Sequence, residues 1–199
     1  MSIKLLKNLK LKSELIDFLQ ENNGVLLDII LFGSYLKGKN APKDLDILLL
    51  FKEKKDIDLS YVLSKKIKRL GFNPEITDKT YKELFQSSFI AREAILSEGY
   101  SIKNDCFVLD GFGYTSYFLF KYDLKKFNKS KRMMFYYGLY GRNKNQGILK
   151  ELNSIKFSGT IILCPLENSN KMEGFFKNLE IDFITFQILI PERINNILN

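Results

Sequence analysis

The chain has 199 residues, of which 45% are hydrophobic and 14% aromatic, so a folded globular protein is predicted rather than a disordered one. It contains no histidine, which excludes Ser-His and Cys-His catalysis and any His-ligated zinc site. The net charge is +8, and residues 121–150 alone hold nine Lys or Arg residues against one Asp. A local basic patch of this kind favours a polyanionic partner.

No apolar run reaches the ~18 residues that a membrane-spanning helix needs, and residues 1–7 lack the apolar core of a signal peptide. We therefore expect no membrane partner and a cytoplasmic location. Cys106 and Cys164 lie in apolar, strand-like segments without metal-ligand spacing, and we expect both to be small structural side chains. Nothing in the sequence indicates the oligomeric state.

The first half of the chain alternates predicted helices and strands. Apolar residues recur at helical spacing over residues 4–22, where Ser13 is expected to cap the helix and Gly24 follows its end. The other elements predicted in this half are strands at Asp28–Phe32 and Asp44–Phe51, a helix at Leu59–Leu70, a strand at Pro74–Thr77 and a helix at Tyr81–Leu96.

After Gly99 aromatic and β-branched residues become frequent, which is typical of strands. The predicted elements are strands at Phe107–Leu109 and Tyr114–Tyr122, a helix from a Ser130 cap to Tyr140, a short helix at Ile148–Leu152, a strand at Thr160–Leu163, a helix at Lys171–Leu179 and a strand at Phe183–Ile190. The alternation predicts an α/β or α+β fold. We predict two domains, residues 1–112 and a small α/β accessory domain at residues 113–199.

Residues 30–51 carry the pattern that indicates chemistry. A strand ends at Gly33-Ser34, a basic loop follows, and the next strand opens with Asp44 and Asp46. Side chains alternate along a strand, so the two carboxylates share one face while Leu45 turns to the core. Carboxylates held this close repel each other unless a cation lies between them. Hard oxygen ligands of this type suit Mg²⁺.

The Gly33-Ser34 turn supplies the complementary half of a phosphate site. Glycine lets the backbone approach a phosphate closely, and the amides and the Ser34 hydroxyl are suited to bind anions. Lys37 and Lys39 lie on the connecting loop, where they are placed to neutralise a polyphosphate. A metal, a phosphate cradle and a positive loop together predict phosphoryl or nucleotidyl transfer.

This pattern consists of Gly-Ser, nine intervening residues and Asp-x-Asp, and it resembles the signature of the DNA polymerase β-like nucleotidyltransferase superfamily. The chain is similar to the minimal members of that superfamily over about residues 15–103. The resemblance implies a mixed sheet with flanking helices. It also implies that Gly33 and Ser34 hold the triphosphate of an NTP, with ATP as the first choice, and that Asp44 and Asp46 ligate two Mg²⁺ ions.

The family has a third carboxylate on a later strand, and Glu75 is the best-placed match here, with Asp78 as a weaker candidate. By the resemblance, Glu75 is a metal ligand and a catalytic residue. The sequence departs from the pattern in two ways. Glutamate replaces the more usual aspartate, and the flanking residues are less apolar than those of a core strand.

The basic window at residues 121–150 allows two interpretations. Its cations interleave with aromatic residues, a mixture that suits single-stranded nucleic acid or structured RNA. Alternatively, Met133, Met134, Tyr137 and Tyr140 have the spacing of a buried helix face, with the cations merely solvated. The cations concerned are Lys121, Lys125, Lys126, Lys129, Lys131, Arg132, Arg142 and Lys144.

The sequence therefore predicts a metal-dependent enzyme that moves a nucleoside monophosphate from an NTP to an acceptor and releases pyrophosphate. The acceptor (RNA, protein or a small molecule) and the preferred base stay open. Two alternatives are an inactive nucleotide- or RNA-binding module and an antitoxin-like partner protein, a role in which some minimal nucleotidyltransferases adenylylate a toxin.

Overall fold

The computed structural model describes residues 8–37, 44–143 and 145–194, and the chain divides into two compact units between Phe112 and Gly113. Lys39, named above as a candidate phosphate contact, and Lys144, a cation of the basic window, lie outside the described residues. Among the helices in the described ranges, none is long and apolar enough to cross a membrane.

The first unit is built around a five-stranded mixed sheet in the order β3-β2-β1-β4-β5. β1 is antiparallel to β2 and β4, and β2 is parallel to β3. A parallel β2–β3 pair requires a crossover connection, and a helix supplies it. The elements are α1 (Leu9–Glu21), β1 (Leu26–Phe32), β2 (Leu45–Phe51), α2 (Ile57–Arg69), β3 (Pro74–Thr80), α3 (Arg92–Glu98), β4 (Tyr100–Ser101) and β5 (Cys106–Phe107).

Apolar side chains fill both faces of the central strands. One face packs against α1 and α2 in a cluster that includes Leu15, Leu31, Ile47 and Leu63. The opposite face forms a smaller cluster around Ile30, Leu48, Phe89 and Ile95, the last of which comes from α3. The alternation of burial places residues of even number in β2 on the α3 side.

Two predicted helix boundaries in this unit are wrong. α1 is capped by Asn8, whose side chain accepts a hydrogen bond from the Leu11 amide at 3.1 Å, while Ser13 lies inside the helix. The helix predicted at Tyr81–Leu96 is broken: a 3₁₀ turn at Lys82–Phe85 ends at Gln86, which is extended, and α3 starts only at Arg92. Ser87 and Ser88, which are weak helix formers, follow the break.

The second unit contains a four-stranded antiparallel sheet in the order β11-β6-β10-β9. Its main elements run β-α-β-β-α-β, and this strand order with this connectivity is the ferredoxin-like arrangement. The elements are β6 (Tyr114–Asp123), α4 (Lys129–Tyr140), the hairpin β7 (Gly141–Arg142) and β8 (Asn145–Gln146), α5 (Ile148–Glu151), β9 (Ile155–Ser158), β10 (Ile161–Pro165), α6 (Ser169–Asn178) and β11 (Asp182–Pro191).

An aromatic core joins one face of this sheet to α4 and α6. Phe120 and Phe176 stack with centroids 5.5 Å apart, and Tyr122 and Phe135 pack beside them. Cys164 is fully buried, Cys106 in the first unit is partly buried, and both are free thiols. The predicted Ser130 cap is wrong, because Asn128 caps α4 by accepting from the Lys131 amide at 2.9 Å.

Candidate active site

Asp44 and Asp46 stand at the start of β2, as the sequence predicts. Leu45 and Ile47, which alternate with them, are only 1% and 0% exposed and belong to the core on the opposite face. The two aspartates are half-buried, and Asp46 shares its face of β2 with Leu48, which packs in the cluster that contains Ile95 of α3. Strand alternation and burial thus place both carboxylates together at one end of the sheet.

The turn after β1 lies directly against Asp46. Phe32 is the register partner of Asp46, and the next residue, Gly33, has φ +77°. A Cβ built on Gly33 would stand 2.0 Å from Oδ2 of Asp46 and 2.9 Å from its Cγ. Ser34 follows in a single 3₁₀ turn that the Leu36 amide closes by donating to the Gly33 carbonyl at 3.3 Å. Glycine is required here both by the backbone angle and by the carboxylate.

Glu75 is the neighbour of Asp46 on the adjacent strand. The parallel β2–β3 register pairs Asp46 with Glu75, and the Glu75 side chain is exposed. Asp78 pairs instead with Leu49, farther along the strand, and both of its oxygens lie 2.7 Å from the Ser60 hydroxyl of α2. Of the two acids considered for the third carboxylate, the structure brings Glu75 to Asp46.

A fourth carboxylate, Glu98, was not predicted as part of the site. It is the last residue of α3 and only 6% exposed, and its Oε1 lies 2.7 Å from Nζ of Lys37. Lys37 therefore has a protein partner here as well as its predicted role toward a phosphate. Glu98 lies two residues before Tyr100, the β4 residue that pairs with Leu31 of β1.

The pKa of Asp46 reflects its burial and the acidic side chains near it. Burial raises the pKa of Asp46 above its ordinary value, and the nearby carboxylates of Glu75, Asp44 and Glu98 raise it further. The ammonium of Lys37 opposes the increase. Three acids therefore act on one half-buried aspartate beside a glycine turn.

Comparison with known families settles the type of this domain. A family model described as polymerase beta, nucleotidyltransferase, matches residues 13–103. Residues 13–103 form a nucleotidyltransferase domain of the polymerase beta family. The predicted family, its extent and its fold are confirmed. Among proteins of curated function, none matches the chain.

Solved structures give similarities to toxin–antitoxin proteins. A chain of a toxin–antitoxin crystallised with AMP-PNP is 23% identical, with 51% of this chain and 83% of that chain covered and a TM-score of 0.37. A chain of the tri-AMPylated Shewanella oneidensis HEPN toxin in complex with MNT antitoxin is 20% identical, with 51% and 80% covered and a TM-score of 0.34. Scores this low support no inference about function.

Within the nucleotidyltransferase domain, Asn73 holds Asp44 in place. The Asn73 side-chain amide donates to Oδ1 of Asp44 at 2.5 Å, and the Asn73 carbonyl accepts from the Leu45 amide at 2.8 Å. Asn73 precedes β3, so it orients Asp44 from the same strand region that carries Glu75. Sequence reasoning missed this residue, since no local pattern distinguishes it.

The donor set of the nucleotidyltransferase domain fits Mg²⁺. In the part of the chain that the structure describes, no three Cys, Asp or Glu side chains are already arranged as ligands of one metal ion. Mg²⁺ does not need such a cage, because it is commonly held by one or two carboxylates and the phosphates of its substrate. Burial is the main cause of the raised pKa of Asp46, and repulsion by the neighbouring carboxylates adds to it. A cation bound beside Asp46 would relieve that repulsion.

In the second unit, the structure tests the interpretation of the basic window as a buried helix face. Only Phe135 and Leu139 of α4 are buried, whereas Met133, Met134 and Tyr140 are 42%, 51% and 56% exposed. The interpretation of these residues as a buried helix face is therefore wrong. Their exposure leaves an aromatic and apolar surface along α4.

Four cations of the basic window have partners inside the second unit. Lys126 pairs with Asp182 at 2.7 Å, Lys131 with Glu180 at 3.6 Å and Lys125 with Asp123 at 3.8 Å. Arg132 donates to the carbonyls of Leu124 and Lys125 at 3.2 and 3.4 Å. Arg142 differs, since its guanidinium lies 4.6 Å from the ring centroid of Tyr137.

Proposed function

We propose that the nucleotidyltransferase domain moves a nucleoside monophosphate from an NTP, with ATP the first nucleotide to test, to an acceptor hydroxyl. The observation that carries this proposal is the contact between the Gly33 turn and Asp46, with Glu75 alongside on the next strand. A phosphate-binding turn and a carboxylate group are the two halves of such a site. They approach each other so closely that only glycine fits.

The turn is proposed to bind the triphosphate. Gly33 presents backbone without a side chain, and Ser34 adds a hydroxyl that donates to a phosphate oxygen. Lys37 supplies positive charge from the loop side, where Glu98 holds its ammonium at 2.7 Å. Much of the catalysis then comes from position and charge, as is usual for phosphoryl-group transfer.

The reaction balances without any redox step. The acceptor oxygen forms a bond to the α-phosphorus, the bond from that phosphorus to the α,β-bridging oxygen breaks, and pyrophosphate leaves with the electron pair. Glu75 is proposed to take the proton of the acceptor hydroxyl, because it is exposed and lies beside Asp46. A carboxylate in reach of the acceptor suits general-base catalysis.

Asp44, Asp46 and Glu75 are the residues proposed to hold Mg²⁺, with two ions expected. When bound, Mg²⁺ supplies Lewis-acid stabilisation of charge on the phosphate oxygens. Asn73 donates a hydrogen bond to the Asp44 carboxylate, and the Gly33 turn lies directly against the Asp46 carboxylate.

The test is transfer of label from ATP labelled at the α-phosphate, with Mg²⁺ and the full chain. Three acceptor pools are compared: RNA, candidate protein partners and small hydroxyl compounds. We expect label to move to one pool and the Asp44→Asn/Asp46→Asn variant to lose transfer by at least about 100-fold. The Asp58→Asn variant, which removes an exposed acid from the start of α2, should transfer at the wild-type rate.

The outcomes separate the alternatives. Label on a protein alone supports the antitoxin-like role, and label on RNA supports an RNA-modifying enzyme. ATP binding without transfer to any pool supports an inactive nucleotide-binding module and overturns the proposal. Transfer that survives the loss of both aspartates overturns it as well.

A further inference from the structure

The second unit contains a cleft that the proposed transferase reaction does not use. It lies between α4, the β7–β8 hairpin and α6, and its volume is about 490 Å³. That volume falls within the range of small-molecule sites in proteins. Its lining includes Met134, Tyr137, Arg142, Asn145, Gln146 and Asn178.

Tyr137 and Arg142 form a flat, positively charged platform in the cleft. The guanidinium lies over the tyrosine ring, 4.6 Å from its centroid. An arginine guanidinium carries five N–H donors, and these donors match phosphate oxygens. The platform therefore offers one surface for stacking and one edge for an anion.

The lining also contains three amide side chains, beside the apolar Phe175 and Leu179. Asn145, Gln146 and Asn178 each carry a donor and an acceptor, the combination that hydrogen-bonds to the edges of nucleobases. A purely apolar ligand would strip water from these amides and from a guanidinium without replacing their hydrogen bonds, which is costly. The lining thus favours a ligand that is aromatic, anionic and rich in hydrogen-bonding groups.

The backbone that carries the platform is tightly fixed. Gly141 has φ +92°, and a Cβ there would lie 2.2 Å from the Asn145 carbonyl oxygen. Gly141 pairs with Gln146, and Arg142 with Asn145. At Gly138 an added Cβ would lie 2.9 Å from the Phe175 ring, so α4 and α6 approach closely beside the cleft. The site is preorganised by close packing, and Arg142 and two of the amides belong to one short hairpin.

We propose that this cleft binds a nucleotide, with the base on the Tyr137–Arg142 platform and the phosphate at the guanidinium edge. Single-stranded nucleic acids and free nucleotides share this chemistry, and stacking on aromatic rings is how proteins hold unpaired bases. The cleft is formed by residues of the second unit alone. Its occupation is independent of whether the first unit transfers nucleotides.

The experiment measures binding of AMP and of a short single-stranded oligoadenylate RNA to the full chain, with a chelator present to remove divalent cations. Tyr137→Ala and Arg142→Ala should each weaken binding at least about tenfold, since stacking and a charged contact are lost. Lys125→Ala removes the same charge from the same window outside the cleft, and binding should change less than about threefold. Tyr137→Phe keeps the ring and should bind like the wild type, and unfolding of both alanine variants at the same urea concentration as the wild type excludes misfolding as the cause of the loss.

Binding of AMP alone, or of AMP and RNA with equal affinity, identifies a site for a free nucleotide. Binding of the RNA alone, weakened by added salt, identifies a site for one nucleotide of a strand. The proposal is overturned if neither probe binds, or if both alanine variants bind as tightly as the wild type. Transfer assays on Tyr137→Ala and Arg142→Ala, with the Asp44→Asn/Asp46→Asn protein as the reference for lost transfer, show whether the cleft variants affect transfer. These assays keep the two proposals separate.

Discussion

Gly33 stands so close to Asp46 that a single methyl group added to Gly33 would overlap the Asp46 carboxylate, 2.0 Å from Oδ2. We therefore expect Gly33→Ala to reduce nucleotide transfer about 100-fold, because misplacement of a catalytic group by about 1 Å has effects of this size. The φ of +77° adds strain of about 1–2 kcal/mol for alanine. Steady-state transfer rates and urea unfolding measure the two effects.

Gly71→Ala is the matched control. Gly71 has φ +87° in the same unit, but nothing lies within 4 Å of its added Cβ. This variant should lose similar stability and keep its activity. If Gly33→Ala transfers at the rate of Gly71→Ala, the contact with Asp46 has no catalytic importance.

Asn73→Ala should raise the Mg²⁺ concentration needed for half-maximal transfer by about tenfold. The amide of Asn73 donates to Oδ1 of Asp44 at 2.5 Å, and partners that orient metal ligands typically contribute 10–100-fold in affinity or activity. The measurement is a Mg²⁺ titration of the transfer rate. Asn23→Ala, in an exposed turn of the same unit, is the control, and equal Mg²⁺ dependence in both variants would contradict the role assigned to Asn73.

Lys37→Met should destabilise the first unit by about 1–3 kcal/mol, since it leaves the carboxylate of Glu98 buried without its ammonium partner. Glu98→Gln in the same protein should recover part of that loss. The sum of the two single effects should then exceed the effect of the double variant. Urea unfolding of the four proteins gives the coupling, and strict additivity would show that the 2.7 Å contact contributes nothing.

The residues predicted from the sequence are those whose geometry is local. Asp44 and Asp46 share a face because strand periodicity requires it, and Gly33 closes the preceding strand. Glu98 and Asn73 were missed because their positions depend on how distant segments pair. Glu98 reaches the site through the β1–β4 pairing and Asn73 through the β2–β3 pairing, neither of which a single sequence specifies.

The helix caps and the strand order of the second unit were also not predicted from the sequence. Asn8 and Asn128 cap the helices where Ser13 and Ser130 were predicted, and all four are good capping residues that local pattern alone cannot rank. The ferredoxin-like order escaped prediction because Ile155–Ser158 is too short and too polar to be identified as a strand. Without it, the β-α-β-β-α-β series is incomplete.

Stability at acid pH should depend on Glu83. Hydrogen bonds from the Lys55 ammonium at 2.8 Å and the Thr80 amide at 2.7 Å lower the pKa of Glu83 from 4.5 to about 2. The unfolded chain takes up the proton first as the pH falls, so stability present above pH 4.5 is lost between pH 4.5 and about 2. Melting temperatures of Glu83→Gln and wild type should therefore differ at pH 6 and converge toward pH 2.

Glu53→Gln provides the charge-matched control for that comparison, because Glu53 is exposed in the turn before α2. Its melting curve should run parallel to that of the wild type. If the difference in melting temperature between Glu83→Gln and the wild type stays constant from pH 6 to pH 3, the Lys55 and Thr80 contacts do not stabilise the ionised carboxylate of Glu83.

The two-domain organisation predicts that damage to one core stays in that core. Phe176 is fully buried, and its ring centroid lies 5.5 Å from that of Phe120 and 5.2 Å from that of Phe183. Phe176→Ala should therefore lower the free energy of unfolding of the second unit by about 3–5 kcal/mol. Hydrogen exchange should rise in peptides from residues 114–191 and stay unchanged in residues 26–51. Phe18→Ala, which empties a buried position of the first core, should give the reverse pattern. Because the two clusters share no residue, loss of protection in both regions from either variant would show that residues 1–112 and 113–199 unfold as one cooperative domain.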